Sequence, residues 1–187
     1  MHQKGFTLVE LVIVFSIIAL LSITGLASFS AFSQRQQLSN SVSDLRTIFN
    51  VARTRTLSQV NGTTGNFCTS SEQFGGYVVL VCCTAKGSQT NCPSIAACNG
   101  TDDYDMFETC YSGSSTAYKF IQGGKFSNSV AVDASTTART FQFTPLTGAV
   151  SFGAGGPVSQ GAVTLTLIGS TQTYTGTVTV TSIGAIQ

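Results

Sequence analysis

Residues 1–10 read MHQKGFTLVE, residues 11–32 continue LVIVFSIIALLSITGLASFSAF, and no charge follows until Arg35. Such a run predicts one long helix, and at about 1.5 Å of rise per residue 11–34 is expected to cross a bilayer, which takes about 20 mostly apolar residues. The hydroxyls of Ser16, Ser22, Thr24 and Ser28 can bond back to the helix's own carbonyls. Glu10 stands apart, because a carboxylate at the edge of an apolar helix is costly and implies a function or a partner. A snorkelling interfacial glutamate is the plainer alternative. Lys4 precedes the run, and Asp102, Asp103, Asp105 and Glu108 lie far beyond it. The positive-inside tendency therefore holds the N-terminus in the cytoplasm and sends the rest across. A secretory signal peptide has the same order of basic and then apolar residues, with Ala27-Ser28-Phe29 as a weak cleavage site. Here, however, the helix runs on toward a long amphipathic segment.

That segment covers residues 34–59. Leu38, Val42, Leu45, Ile48, Phe49, Ala52 and Leu57 fall mostly three or four apart, with Arg35, Asn40, Asp44, Asn50 and Arg53 between them. This spacing gives a helix with one dry stripe that has to bury against a sheet. Asn61-Gly62 predicts its end near Val60. Gly25 and the hydroxyl residues around it give the preceding helix a place to loosen.

Beyond Val60 the period changes to alternation. Residues 77–83, YVVLVCC, read as a central strand buried on both faces. Residues 117–121, 138–144, 162–168 and 172–182 are further strand candidates. The last two, separated by Gly169-Ser170-Thr171, predict an antiparallel hairpin with Val163, Leu165 and Leu167 on the face opposite Thr164 and Thr166. The expected class is α+β, an antiparallel sheet wrapped on the second half of the long helix.

Composition narrows the function. Nine Lys plus Arg stand against eight Asp plus Glu, a net charge of +1, so no broad field attracts nucleic acid or anionic lipid. Charged residues make up 9% of the chain, against roughly 25% in an ordinary soluble domain, so something other than cytosolic globularity is implied. Cys68, Cys82, Cys83, Cys92, Cys98 and Cys110 form an even set, which reads as disulfides made outside the cytoplasm, with buried free thiols as the alternative. Cys82 and Cys83 are adjacent on a strand and point to opposite faces, so they are not expected to pair with each other. Cys92 and Cys98 are assigned to a small loop around Pro93, and the other four to stapling residues 66–111. Structural zinc is disfavoured, because the only histidine is His2 and no CxxC pair is present.

Asp102, Asp103, Asp105 and Glu108 are the only acidic cluster. They read as a solvated loop, with a weak calcium alternative that lacks the EF-hand spacing and its central glycine. Arg46, Arg53, Arg55, Lys119, Lys125 and Arg139 are too scattered on a nearly neutral chain to predict a DNA-binding patch. There is no phosphate-binding GxxxxGK[ST] run and no G-x-S-x-G turn, no helix signal follows the glycines of 153–157, and no basic partner lies near the cysteines in sequence. No catalytic residues and no cofactor are expected.

Gly5-Phe6-Thr7-Leu8-Val9-Glu10, preceded by a short basic leader and followed at once by the apolar helix, resembles the processing motif of type IV prepilins. The resemblance implies cleavage between Gly5 and Phe6 by a prepilin peptidase, which also methylates the new Phe6 amine. Gly5 admits an extended backbone into a narrow protease cleft, and Phe6 gives the mature chain an apolar first residue. Glu10 is then most simply paired with the α-amine of Phe6 on an adjacent subunit, since a carboxylate in apolar surroundings needs a cationic partner.

Residues 141–148, FQFTPLTG, the Gly-rich loop after them, the alternating strand and the ending VTVTSIGAI, residues 178–186, resemble the heads of minor pseudopilins of type II secretion and related fimbrial assembly pilins. Residues 51–56, VARTRT, are similar to the end of their helix. Major pilins commonly carry a proline where this chain has Ala27, and the first proline here is Pro93, which weakens a major-subunit assignment.

The resemblance implies a pilin-like fold: leader 1–5, transmembrane and assembly helix 6–33, amphipathic helix 34–60, and disulfide-stapled β-rich head 61–187. It further implies a single-pass inner-membrane location with the N-terminus cytoplasmic and the head periplasmic or extracellular. The implied partners are the peptidase and N-methyltransferase, other pilins or pseudopilins, an inner-membrane assembly platform and the lipid bilayer. Nucleic acid is not expected, although a surface pilus engaged in adhesion or DNA uptake is the alternative to the pseudopilus.

Overall fold

The computed structural model describes residues 7–59, 67–69, 71–81, 102–133, 139–153, 162–169 and 174–187, with the backbone alone at 23–28. The leader, the Asn61-Gly62 stop and Cys82, Cys83, Cys92 and Cys98 lie outside the described residues. The chain divides into two compact units, Met1–Gln36 and Gln37–Gln187.

The described part of the first unit is the opening of helix α1, Leu8–Leu57. Thr7 caps it: the Glu10 amide donates to the Thr7 hydroxyl at 3.3 Å, and the Leu11 amide to the Thr7 carbonyl at 3.3 Å. Ser16 and Ser22 donate their hydroxyls to the Val12 and Ile18 carbonyls at 2.9 and 2.8 Å, which satisfies them within the helix.

The expected membrane crossing is not found: among the described residues no helix is long and apolar enough to cross a membrane. A hydrocarbon core is about 30 Å thick, or about 20 residues of helix. Ser30, Ser33, Gln34 and Arg35 make their turns of the helix more polar. The transmembrane part of the expected fold and the single-pass inner-membrane location are corrected accordingly.

In the second unit α1 supplies the predicted stripe. Leu38, Leu45, Ile48, Phe49 and Ala52 are buried, Val42 and Val51 half-buried, and Asp44, Arg46 and Asn50 exposed. Leu57, placed in the stripe by its spacing, is exposed. The helix ends there, slightly before the expected position, and Gln59 takes the left-handed φ of 49° that ordinarily closes a helix.

Two sheets pack with this stripe in one core, where a single sheet was expected. The larger has the order β3-β2-β1-β5-β6, formed by β1 Gln73–Val81, β2 Tyr104–Ser112, β3 Ser115–Gly124, β5 Thr140–Phe143 and β6 Val150–Phe152. The smaller has the order β4-β7-β8, formed by β4 Val130–Val132, β7 Ala162–Gly169 and β8 Thr175–Thr181. Every pairing among the described strands is antiparallel.

As its continuous apolar run predicts, β1 is the central strand, with Tyr77, Val79, Leu80 and Val81 fully buried. β7 and β8 form the predicted hairpin, pairing Val163 with Val180 and Leu165 with Val178 on the buried face. Phe49 meets Phe141 edge-on at 4.8 Å between ring centroids, joining helix to sheet through an aromatic contact. At Gly76 the backbone has φ 92° and crowds the Phe143 carbonyl, leaving no room for a Cβ.

The acidic segment departs most from its reading. Asp105 and Glu108 lie within β2, and with Asp103 they are buried, not solvated. β2 is held between β1 and β3, so pairing on both sides outweighs the polarity of its side chains.

Candidate functional site

The N-terminal motif is described from Thr7 onward; the processing pair Gly5 and Phe6 lies outside the described residues. Thr7 and Glu10 stand at the two ends of a T-x-x-E sequence, the pattern of a capping box, which satisfies amides that the first helical turn leaves without partners. Glu10 sits in that first turn, where the helix dipole favours a negative charge. Sequence reasoning gave Glu10 a role and missed Thr7, although the T-x-x-E spacing carries the signal. Leu8, Val9, Leu11, Val12, Ile13 and Val14 are each at least 49% exposed, and Phe15, Ile17, Ile18, Leu20 and Leu21 continue in the same way, so the apolar surface goes all round the helix.

Of the six cysteines, Cys68 and Cys110 form a disulfide with Cα atoms 5.5 Å apart, tying the segment before β1 to the end of β2. Both belong to the four assigned to stapling this region.

The acidic residues sit against the last residues of β3 and against the chain that follows it. Asp103 accepts a hydrogen bond from the Phe126 amide at 2.8 Å and so anchors the chain after β3. The Asp102 and Asp105 carboxylates crowd Gly123, which leaves space for no side chain there. Among the described residues no group of three or more His, Cys, Asp or Glu is arranged to hold a metal ion.

The basic residues occupy separate places. Arg46 donates to the Thr177 carbonyl at 3.3 Å, and Lys119 lies over the Phe67 ring at 5.6 Å. Arg139 is buried and donates to the Asp133 carbonyl at 3.2 Å; burial pushes its pKa down, and the Asp133 charge works against that shift.

Residues 1–26 match the family described as the prokaryotic N-terminal methylation motif. No match is found among curated proteins or among solved structures. The chain therefore combines a prepilin-type methylation motif with a pilin-like architecture, an N-terminal helix packed on β-sheet, and the motif points to a peptidase and methyltransferase as its processing partner.

Proposed function

We propose that this chain is a filament subunit, a minor member of a type II secretion pseudopilus or a related type IV filament. A prepilin peptidase cleaves it between Gly5 and Phe6 and methylates the Phe6 amine. The observation that carries this reading is the methylation motif over residues 1–26 opening directly into a capped helix with apolar side chains exposed on every side. A helix apolar all round is stable only in surroundings that match it. Equivalent helices of other pilins or pseudopilins, delivered by an assembly platform and packed side by side, provide those surroundings.

In such a bundle Glu10 needs a cation, and the α-amine of Phe6 on a neighbouring subunit supplies it and sets the axial register. Ala27 in place of the proline usual in major pilins, and the head motifs of residues 141–148 and 178–186, support a minor subunit. The role is structural and not catalytic.

The test is Glu10→Ala. The variant is expected to fold as the parent does, since Glu10 is exposed at a helix end, and to enter sheared filaments at least about tenfold less, because the pair loses one partner. Undiminished incorporation contradicts the pairing.

A further inference from the structure

At one end of the five-stranded sheet, residues of β1, β2, β3, β5 and β6 line an open cleft of about 630 Å³. Small-molecule sites fall between about 300 and 1,000 Å³, so the space suits a ligand of one or two rings. Among the described residues no Asp, Glu, Lys, Arg or His lines it. Its chemistry is carried by the rings of Phe74, Tyr111 and Tyr118 and by the neutral polar groups of Thr116, Gln142 and Ser151.

The cleft is fixed in shape before any ligand arrives. A Cβ on Gly75 would come within 2.6 Å of both Tyr111 Cε2 and Thr109 Oγ1, so the bare glycine lets the Tyr111 ring settle against the β1 backbone. The Gln142 amide nitrogen donates to the Gly75 carbonyl at 3.4 Å and to the Tyr111 hydroxyl, which ties β5 to β1 and β2 across the floor. The Thr109 hydroxyl donates to the Gly76 carbonyl at 3.0 Å and, from β2, braces the irregularity in β1 between Phe74 and Gly76. With its nitrogen committed, Gln142 presents its carbonyl oxygen as an acceptor. The Tyr118 ring is 39% exposed on the neighbouring edge strand, where it offers a face for stacking. Burial and the adjacent Tyr111 push the Tyr118 phenol above its ordinary value of 10.0, so it remains a neutral donor and acceptor at physiological pH.

We propose that this cleft binds a neutral saccharide of one or two pyranose rings. Such a ring has an apolar C–H face that matches an aromatic side chain, and a rim of hydroxyls that both donate and accept, matching amide and hydroxyl groups. A phosphorylated or sialylated ligand would lose its hydration there without gaining a counter-charge. The cleft involves no residue of the N-terminal motif, so the inference stands independently of the filament reading.

The test uses the full chain in a sugar-free zwitterionic surfactant. Tyrosine fluorescence and saturation-transfer NMR are read during titration with glucose, galactose, N-acetylglucosamine, N-acetylgalactosamine and their disaccharides. Sialic acid and glucose 6-phosphate serve as charged controls. At least one neutral sugar is expected to bind at millimolar concentration or below, with both charged controls at least about tenfold weaker. Tyr118→Ala and Gln142→Leu are each expected to weaken binding about tenfold, one by removing the stacking face and the other an acceptor. Unchanged melting temperatures would show that these losses are local. Tyr118→Phe keeps the face and should retain most of the affinity. Absence of binding by every neutral sugar, equal binding of the charged controls, or affinity unchanged in both variants with intact folding would each overturn the proposal.

Discussion

Tyr104 shows how a single buried side chain sets a pH limit on the fold. Burial, and then the negative charges of Asp44, Asp102 and Asp103, push its phenol above the ordinary value of 10.0. Below that value the phenol is neutral in the folded and unfolded chains alike, and the favourable difference is fully present. As pH rises past it the unfolded chain ionises first, so stability is lost progressively up through the folded value. The denaturant midpoint should fall as pH rises past 10.0, and that of Tyr104→Phe should fall less; equal losses in both would remove Tyr104 as the cause. At this scale the N-terminal motif was readable because its residues are contiguous. Glu10 stands out by its cost in an apolar helix, whereas the Thr7 cap is signalled only by the T-x-x-E spacing. Asp105 and Glu108 misled because side-chain polarity argues for solvent, while their burial comes from strands β1 and β3, which no local reading of 102–108 contains.

At the level of elements, legibility followed length and period. The stripe of α1, the uninterrupted apolar run of β1 and the alternation of β7 and β8 repeat often enough to declare themselves. β4 and β6, Val130–Val132 and Val150–Phe152, are too short to show a period. The saccharide cleft could not be read at all, because its lining comes from five strands brought together only by pairing. The opening of α1 went wrong in a different way. The sequence pattern predicts a crossing over 11–34, and among the described residues no helix is long and apolar enough to make one. The best element-level test of the packed stripe is Phe49→Ala. Phe49 is fully buried and contacts Phe141 and Phe143, at 4.8 and 6.3 Å between centroids. Its truncation should cost about 3–5 kcal/mol in denaturant unfolding. A cost below about 1 kcal/mol would mean that the helix is not seated on β5 through this residue.

For the molecule as a whole, the cysteines were legible as a staple and not as a connectivity. Six of them permit 15 pairings, and only the fold brings Cys68 beside Cys110. That bond spans 42 positions in sequence. Restraining a loop of that length in the unfolded chain stabilises the fold by about 4 kcal/mol on the chain-entropy account. Reduction, or Cys68→Ser with Cys110→Ser, should lower the melting temperature markedly; an unchanged transition with both thiols freed would contradict the stapling role.

A filament subunit of this kind is processed first and then assembled through its N-terminal helix. Quantitative mass spectrometry of the N-terminal peptide from sheared filaments of native cells tests this most directly. The expected result is a peptide beginning at N-methylated Phe6, present as a trace component beside a more abundant subunit. A chain in the cell that still begins at Met1, or one that is absent from the filament fraction, would contradict it.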